Sequence, residues 1–457
     1  MSRYFGTNGV RGRFNELTPE LALKMAMAIG TYFKGGKIIV ARDCRLTGEI
    51  LKCSVIAGLA SVGCEVIDLD IVSSPTAEFM VKKLRADCCI IITASHNPPE
   101  WNALKVVGGN GVSLSQERGE EIERLLDKVG QKEWNKVGSV SKHETATQEH
   151  IDAIKELVDV KKIRQKTKKP KIVLDCGNGT ASVIAPSLFE QLDAKLETLN
   201  ATLDGTFPGR ASEPTEVNVQ KLIAKVKETK ADAGIAWDAD GDRVIFVDEN
   251  GGYVIGDKVF ALCILWKLSN ANISGSVVTT VATSKAAEDI AKTINHETQD
   301  QKHKTIYTKI GAPYLSEEML KLGKKAAIGG EEVGGVIWPE LSLAKDGFIT
   351  GAKMLEAICE KPLSEWLKQI PVYYNVKIKL KASEKEKIEM IARVLEYAKN
   401  NKFKFIDIDG VRINFNESWV IVRPSGTEEY VRIFAEAKTK EKAEELVKKY
   451  KKIAISN

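Results

Sequence analysis

Two short polar runs follow apolar strands, and their side chains are of kinds that do chemistry. Thr93-Ala94-Ser95-His96-Asn97 comes after the apolar run Cys88-Cys89-Ile90-Ile91-Ile92 and leads into Pro98 and Pro99, which suit a loop rather than a helix or ladder interior. A hydroxyl, an imidazole and an amide therefore share one loop. The second run, Asp238-Ala239-Asp240-Gly241-Asp242-Arg243, follows Ala233-Gly234-Ile235-Ala236-Trp237. On an extended backbone, alternate positions would direct its three carboxylates to one side. Carboxylates so crowded repel one another unless a cation neutralises them, and an all-oxygen ligand set favours Mg²⁺ over zinc. Glu249 falls where an EF-hand would place its last ligand, but Arg243 occupies the required glycine position and residues 244–247 continue as a strand, so that motif is excluded.

A loop serine is ordinarily a turn or cap residue, and His96 has no aspartate at a spacing that suggests a hydrolase triad. The chemical reading of Ser95 comes from its pairing with a magnesium cradle in an equivalent loop. A serine beside Mg²⁺ suits phosphoryl transfer, in which the ion offsets charge on the moving group. Lys105 leads into an apolar strand next to the same loop. Most lysines are solvated charges; this one is placed to act as a general acid or base. Near the C-terminus Arg423-Pro424-Ser425-Gly426-Thr427 joins two strands, and a guanidinium, two hydroxyls and backbone N–H groups around a glycine turn make a compact phosphate nest.

The elements that must position these loops repeat one plan. Residues 37–43 read as a buried strand, 48–62 as a helix and 64–70 as a second strand, a βαβ unit. The plan restarts with strand 171–175, helix 181–192 and strand 195–199, and again with strand 276–281, helix 284–294 and strand 305–308. A third polar loop, Gly329-Gly330-Glu331-Glu332-Val333-Gly334-Gly335, follows Ala326-Ala327-Ile328. Three α/β domains of related build are expected, each with one functional loop at a strand end, where ligands of open α/β sheets bind. Beyond a hinge near Ile370-Pro371 the pattern becomes α+β: strand 372–380, helix 384–400, a hairpin turning at Asp409-Gly410, strands 418–422 and 430–436, and a lysine-rich helix 439–454. The expected domains are 1–150 with the Ser95 loop, 151–255 with the aspartates, 256–368 with Glu331, and 369–457 with the nest.

At 457 residues the chain is long enough for several domains, and its 43% hydrophobic and 28% charged content is that of a soluble globular protein. A formal charge of +5 spread along the chain does not point to nucleic acid. Eight cysteines form no CxxC pair and mostly sit in apolar patterns, so they read as reduced core residues. The first residues lack an apolar leader, and no apolar run reaches membrane-spanning length. A cytoplasmic protein is expected.

Taken in order, Thr93-Ala94-Ser95-His96-Asn97-Pro98-Pro99, Asp238-Ala239-Asp240-Gly241-Asp242-Arg243, Gly330-Glu331-Glu332-Val333-Gly334 and Arg423-Pro424-Ser425-Gly426-Thr427-Glu428 resemble the four signature loops of the α-D-phosphohexomutase family. Phe5-Gly6-Thr7-Asn8-Gly9-Val10-Arg11-Gly12 resembles its opening segment, and the likeness spans the chain. The resemblance implies three Rossmann-like mixed α/β domains plus a mobile C-terminal α+β domain around a central cleft. It also implies that Ser95 is carried as phosphoserine, that Mg²⁺ is held by it with Asp238, Asp240 and Asp242, and that Arg243 pairs with its phosphate. Glu331 would bind sugar hydroxyls, Arg423, Ser425 and Thr427 with the Gly426 turn would bind the non-reacting phosphate, and Lys105 and Arg11 would assist proton transfer or charge stabilisation. His96 stands beside the nucleophile.

The implied reaction interconverts hexose 6-phosphate and hexose 1-phosphate through a hexose 1,6-bisphosphate, which also serves as activator. Glucose and mannose phosphates are the expected substrates, with glucosamine phosphate the nearest alternative. A Mg²⁺-dependent sugar phosphatase would share the metal and phosphate sites, but the Ser95 hydroxyl argues against it. A non-catalytic sensor would not need Ser95, the aspartates and Lys105 together. Three departures from the family pattern stand out: Val333 and Gly335 replace a serine and a histidine of the sugar loop, Glu429 replaces a proline, and Lys345-Asp346-Gly347 stands where Arg-Asp-Gly is usual. Val333 offers no side-chain hydrogen bond, so relaxed sugar discrimination is expected.

Overall fold

The computed structural model describes residues 4–6, 9–166, 168–269, 273–297, 303–425 and 429–456. They divide into two compact bodies, Met1–Val259 with Val333–Leu367 and Phe260–Glu332 with Lys368–Asn457.

The first body holds two mixed sheets. In the larger, the strands run in the order Phe5–Gly6, Gly9–Arg13, Trp101–Gly108, Cys88–Ile92, Lys37–Arg42, Glu65–Ile71, Val140–Lys142. The strand Lys37–Arg42 lies parallel to both Cys88–Ile92 and Glu65–Ile71, as a βαβ unit requires. Alternate residues of these strands feed different cores. Ile38, Val40, Ile90 and Ile92 join the helices Pro19–Tyr32 and Gly48–Ser61, whereas Ile39, Ala41, Cys89 and Ile91 join Ala77, Met80 and Val81 of Ser74–Lys83. Burial on both faces explains why these strands read as unbroken apolar runs rather than as alternation.

The second sheet of this body runs Tyr253–Val254, Val244–Asp248, Ala233–Trp237, Lys171–Asp175, Lys195–Leu199. Ala233–Trp237 is parallel to Lys171–Asp175 and antiparallel to Val244–Asp248. The aspartate run is therefore the connection of a β-hairpin at the carboxyl end of a central strand.

In the second body, Ser276–Thr280 pairs in parallel with Thr305–Thr308 and Ala326–Gly330. The C-terminal part forms an antiparallel five-stranded sheet, with Tyr374–Lys381 and Lys404–Ile406 at its edges. The helices Glu384–Asn400 and Lys440–Ile455 bury Met390, Val394, Leu446 and Tyr450 against it. Ser383 opens the first of these helices with a reciprocal capping box to Glu386, which satisfies two otherwise orphaned N–H groups.

Candidate active site

Ser95 lies in the connection between the antiparallel strands Cys88–Ile92 and Trp101–Gly108. Its backbone takes φ of +49°, a left-handed conformation that a serine holds only when its surroundings impose it. The surroundings are polar and buried. The Ser95 N–H donates to Thr93 Oγ1 at 3.0 Å, and the Thr93 hydroxyl donates to Asp43 Oδ2 at 2.7 Å. Arg45 Nε donates to the same carboxylate at 3.0 Å, while its two terminal nitrogens reach the carbonyls of Ser95, Asn97, Pro98 and Trp101.

The aspartate run is not extended. Asp238 Oδ1 accepts the N–H groups of Gly241 and Arg243, each at 3.1 Å, so the chain closes on itself as a tight turn. Gly241 takes φ of +80°, and a Cβ there would lie 2.5 Å from the ring of Phe348. The expected alternation on a straight backbone is thus corrected, because a hairpin connection must reverse direction and the carboxylates converge by curling. Ligand oxygens of Asp238, Asp240 and Asp242 lie within 4.8 Å of one another, and all three residues are buried.

This cluster joins the serine loop. Ser95 Oγ donates to Asp238 Oδ2 at 2.9 Å. Ser74, at the start of the helix Ser74–Lys83, donates to Asp240 Oδ2 at 2.6 Å through its hydroxyl and to the Asp240 carbonyl at 3.0 Å through its N–H. Lys345 Nζ lies 3.0 Å from Asp242 Oδ2. The lysine that departs from the family pattern therefore pairs with an aspartate of the cluster, and Asp346 beside it caps the helix Gly347–Ile358.

Burial, followed by the charges of Asp240 and Asp242, pushes the Asp238 carboxyl well above the usual range. Burial also opposes ionisation of Asp242, but Lys345, Lys105 and Arg243 outweigh it and hold that carboxyl below its ordinary value. Asp240 Oδ1 and Asp242 Oδ1 are buried and make no hydrogen bond, with Arg243 Nε 3.8 Å from the latter; a buried carboxylate oxygen without a hydrogen bond is costly unless a cation approaches it. Convergent carboxylates with unused oxygens fit a hard divalent cation, and the all-oxygen donor set fits Mg²⁺.

The other candidates of the first body lie close by. Arg11 Nη1 donates to Asn97 Oδ1 at 2.7 Å. Arg243 Nη1 contacts both carboxylate oxygens of Glu213, at 2.7 and 2.9 Å, so the expected phosphate partner is held by an acid here. His96 Nδ1 lies 3.7 Å from Glu213 Oε2. Burial, then the Arg243 charge, lowers the His96 pKa to about 4, which leaves its imidazole neutral at pH 7. Lys105 lies within the strand Trp101–Gly108 and pairs with buried Glu78 at 2.8 Å. Burial favours its neutral form, but Glu78, Asp242 and Asp240 outweigh that and raise its pKa.

Several residues of this site carried no signal in the sequence. Arg210 Nη2 donates to the Trp237 carbonyl at 2.6 Å and its Nε to Asp175 at 2.8 Å. Ser212 Oγ donates to the carbonyls of His96 and Asn97, and Glu213 holds Arg243. Segment 210–213 thus ties the serine loop to the aspartate turn. The Ser73-Ser74-Pro75 helix start is a legible N-terminal pattern, but nothing local shows that Ser74 meets an aspartate far along the chain.

Glu331, Arg423 and Ser425 belong to the second body, whereas Val333 begins the returning segment of the first. Glu331 is buried and Val333 half-buried. Arg423 Nη2 pairs with Asp409 at 3.1 Å, and the Ser425 carbonyl accepts from buried Lys387 at 3.0 Å. Gly426, Thr427 and Glu428 lie outside the described residues.

Comparison with known proteins gives the same order of parts. The Phosphoglucomutase/phosphomannomutase alpha/beta/alpha domains I, II and III match residues 2–133, 148–252 and 255–374, and the C-terminal domain of that family matches 377–452. The chain belongs to the phosphoglucomutase/phosphomannomutase family, with its four-domain α/β architecture of mixed sheets. It is a phosphohexomutase, an isomerase that interconverts hexose phosphates. It is 41% identical over 455 residues to the phosphoglucomutase/phosphomannomutase of Thermococcus kodakarensis, covering 97% of each chain. It is 36% identical over 451 residues to the probable phosphoglucosamine mutase of Methanopyrus kandleri, covering 98% of this chain and 96% of the relative. A crystal structure of a phosphoglucomutase/phosphomannomutase family protein from Burkholderia thailandensis superposes with a TM-score of 0.86 at 24% identity, covering 99% and 97% of the two chains; at that identity it shows the shared fold alone.

Proposed function

We propose that this phosphohexomutase interconverts the 6- and 1-phosphates of glucose and mannose, with Ser95 as the carrier of the phosphoryl group. The observation that carries the reading is the 2.9 Å hydrogen bond from Ser95 Oγ to Asp238, inside a buried carboxylate cluster with unused oxygens. Mg²⁺ held by Asp238, Asp240, Asp242 and the Ser95 group would offset negative charge on the transferring phosphoryl. The protein's own residues do the rest. The Thr93, Asp43 and Arg45 contacts orient Ser95. Lys105, kept protonated by its acidic neighbours, donates to the oxygen on which charge develops. Arg11, hydrogen-bonded to Asn97, helps to stabilise charge, Arg243 pairs with the phosphate, and neutral His96 stands beside the nucleophile.

In the proposed cycle, phosphoserine gives its phosphoryl group to a free sugar hydroxyl, whose proton is lost to a base, and a hexose 1,6-bisphosphate results. The bisphosphate reorients, and its other phosphate returns to Ser95. Glu331 binds the sugar hydroxyls, Val333 belongs to the same substrate loop, and Arg423, Ser425, Gly426 and Thr427 take the phosphate that is not reacting. Hexose 1,6-bisphosphate restores any serine that has lost its phosphate.

Glucose and mannose phosphates are favoured by the name of the 41%-identical relative and by Val333, which cannot hydrogen-bond a particular hydroxyl. Glucosamine phosphate is the second reading, favoured by the relatives named probable phosphoglucosamine mutase. Among the described residues no helix is long and apolar enough to cross a membrane, and all eight cysteines are free, which suits the reducing cytoplasm. The test is a ³¹P NMR panel of glucose, mannose and glucosamine 6-phosphates, together with peptide mass mapping of Ser95. Fastest turnover of glucose and mannose phosphates with phosphate on Ser95 is expected. Full activity in Ser95→Ala would refute the carrier assignment, and turnover of glucosamine phosphate alone would refute the sugar assignment.

A further inference from the structure

We infer that Arg45 is the positioning residue for the nucleophile: its buried guanidinium holds the Ser95 loop in the conformation from which Oγ meets Asp238. It acts on turnover rather than on substrate binding, and the inference rests on the reading of Ser95 as phosphoryl carrier.

The geometry is specific to a guanidinium. Nε donates to Asp43 Oδ2 at 3.0 Å, Nη1 to Pro98 O at 2.6 Å and Trp101 O at 3.0 Å, and Nη2 to Ser95 O and Asn97 O, each at 2.7 Å. A guanidinium has five N–H donors in a fixed plane, and here each has an acceptor. Four of those acceptors are backbone carbonyls between Ser95 and Trp101, one of them on the residue whose φ is +49°. The loop's own support comes from internal hydrogen bonds of its backbone, Ser95 N–H to Thr93 Oγ1, Asn97 N–H to Ala94 O and Trp101 N–H to Pro98 O.

Asp43 fixes the other side of the fork. Its Oδ1 accepts the Arg45 N–H at 2.9 Å, and its Oδ2 takes both Arg45 Nε and Thr93 Oγ1. The ring of Phe207 lies over the guanidinium, 5.1 Å from Cζ. The Arg45 side chain is fully buried, so its influence on substrate passes through the loop. Lysine cannot replace it, since an ammonium offers three donors in a tetrahedral array and cannot meet all five acceptors.

Arg45→Lys and Arg45→Ala are compared with the parent by steady-state kinetics, phosphoserine mass analysis and thermal unfolding. Misplacing a reacting group by about 1 Å lowers turnover by roughly 10²-fold, so kcat should fall by that order while KM stays within about threefold. Millimolar guanidinium chloride should restore part of the kcat of Arg45→Ala, whereas methylammonium chloride at equal ionic strength should not. A kcat for Arg45→Lys within about threefold of the parent would overturn the inference. Loss of activity in proportion to unfolded protein without rescue, or failure of both variants to fold, would also overturn it, because the guanidinium would then serve the fold rather than the loop. Ser95→Ala, assayed alongside, separates the two ideas. If it stays active, the carrier reading fails; if it is inactive while the Arg45 variants keep full turnover, only the positioning role fails.

Discussion

Replacing Lys345 with methionine should expose the charge balance of the aspartate cluster. Lys345 Nζ lies 3.0 Å from Asp242 Oδ2, and the two side chains are only 7% and 8% exposed. Methionine keeps most of the stem's volume and removes the charge, so packing changes little. Removing one partner of a buried ion pair costs about 3–5 kcal/mol, because the other charge stays buried. Lys105 and Arg243 also act on Asp242, so a loss near the lower end, about 3 kcal/mol, is expected in EDTA. A bound divalent cation would replace the missing charge, and at a hundred times Kd it stabilises the folded state by about 2.7 kcal/mol. Mg²⁺ should therefore stabilise Lys345→Met more than the parent, since the Lys345 ammonium no longer competes for Asp242. Urea unfolding followed by tryptophan fluorescence, with Trp237 and Trp338 both buried in the first body, reads the four conditions. Equal losses in EDTA and in Mg²⁺ would refute the idea that the lysine and a cation serve the same carboxylate.

Other outcomes follow from the same geometry. Asp240→Asn should weaken Mg²⁺ binding by calorimetry and lower kcat at limiting Mg²⁺ by roughly 10²-fold or more, with the fold retained. Val333→Ser should widen the differences among sugars, whereas in the parent kcat/KM for glucose and mannose 1-phosphates should agree within about two orders of magnitude. Only Cys53 is an exposed thiol. Burial pushes Cys44 and Cys176 up to about 12 and Cys64 up to about 11, so native protein at pH 8 should take up one equivalent of a thiol reagent rapidly and eight after denaturation. Rapid loss of several thiols from native protein would contradict the burial of those cysteines.

Much of this molecule is a local property of the chain. Unbroken apolar runs such as 88–92 and 233–237 specify strands buried on two faces, because only such strands exclude polar residues from both sides. The Asp409-Gly410 turn and the Ser383 capping box are likewise written in consecutive residues, since turns and caps are closed by neighbours. The types of Ser95, Asp238, Asp240 and Asp242, each placed after a strand, were enough to suggest phosphoryl chemistry beside a cation. Tertiary structure decided the remainder. The aspartates converge through a hairpin turn that φ at Gly241 allows and Phe348 packs against, not through alternation. Nothing in the sequence shows which groups Arg45, Ser74, Glu213 and Lys345 meet, yet they contact the serine loop, Asp240, Arg243 and Asp242. A buried polar group must find a partner wherever the fold brings one, and for these residues the partner lies far along the chain, where sequence spacing carries no information.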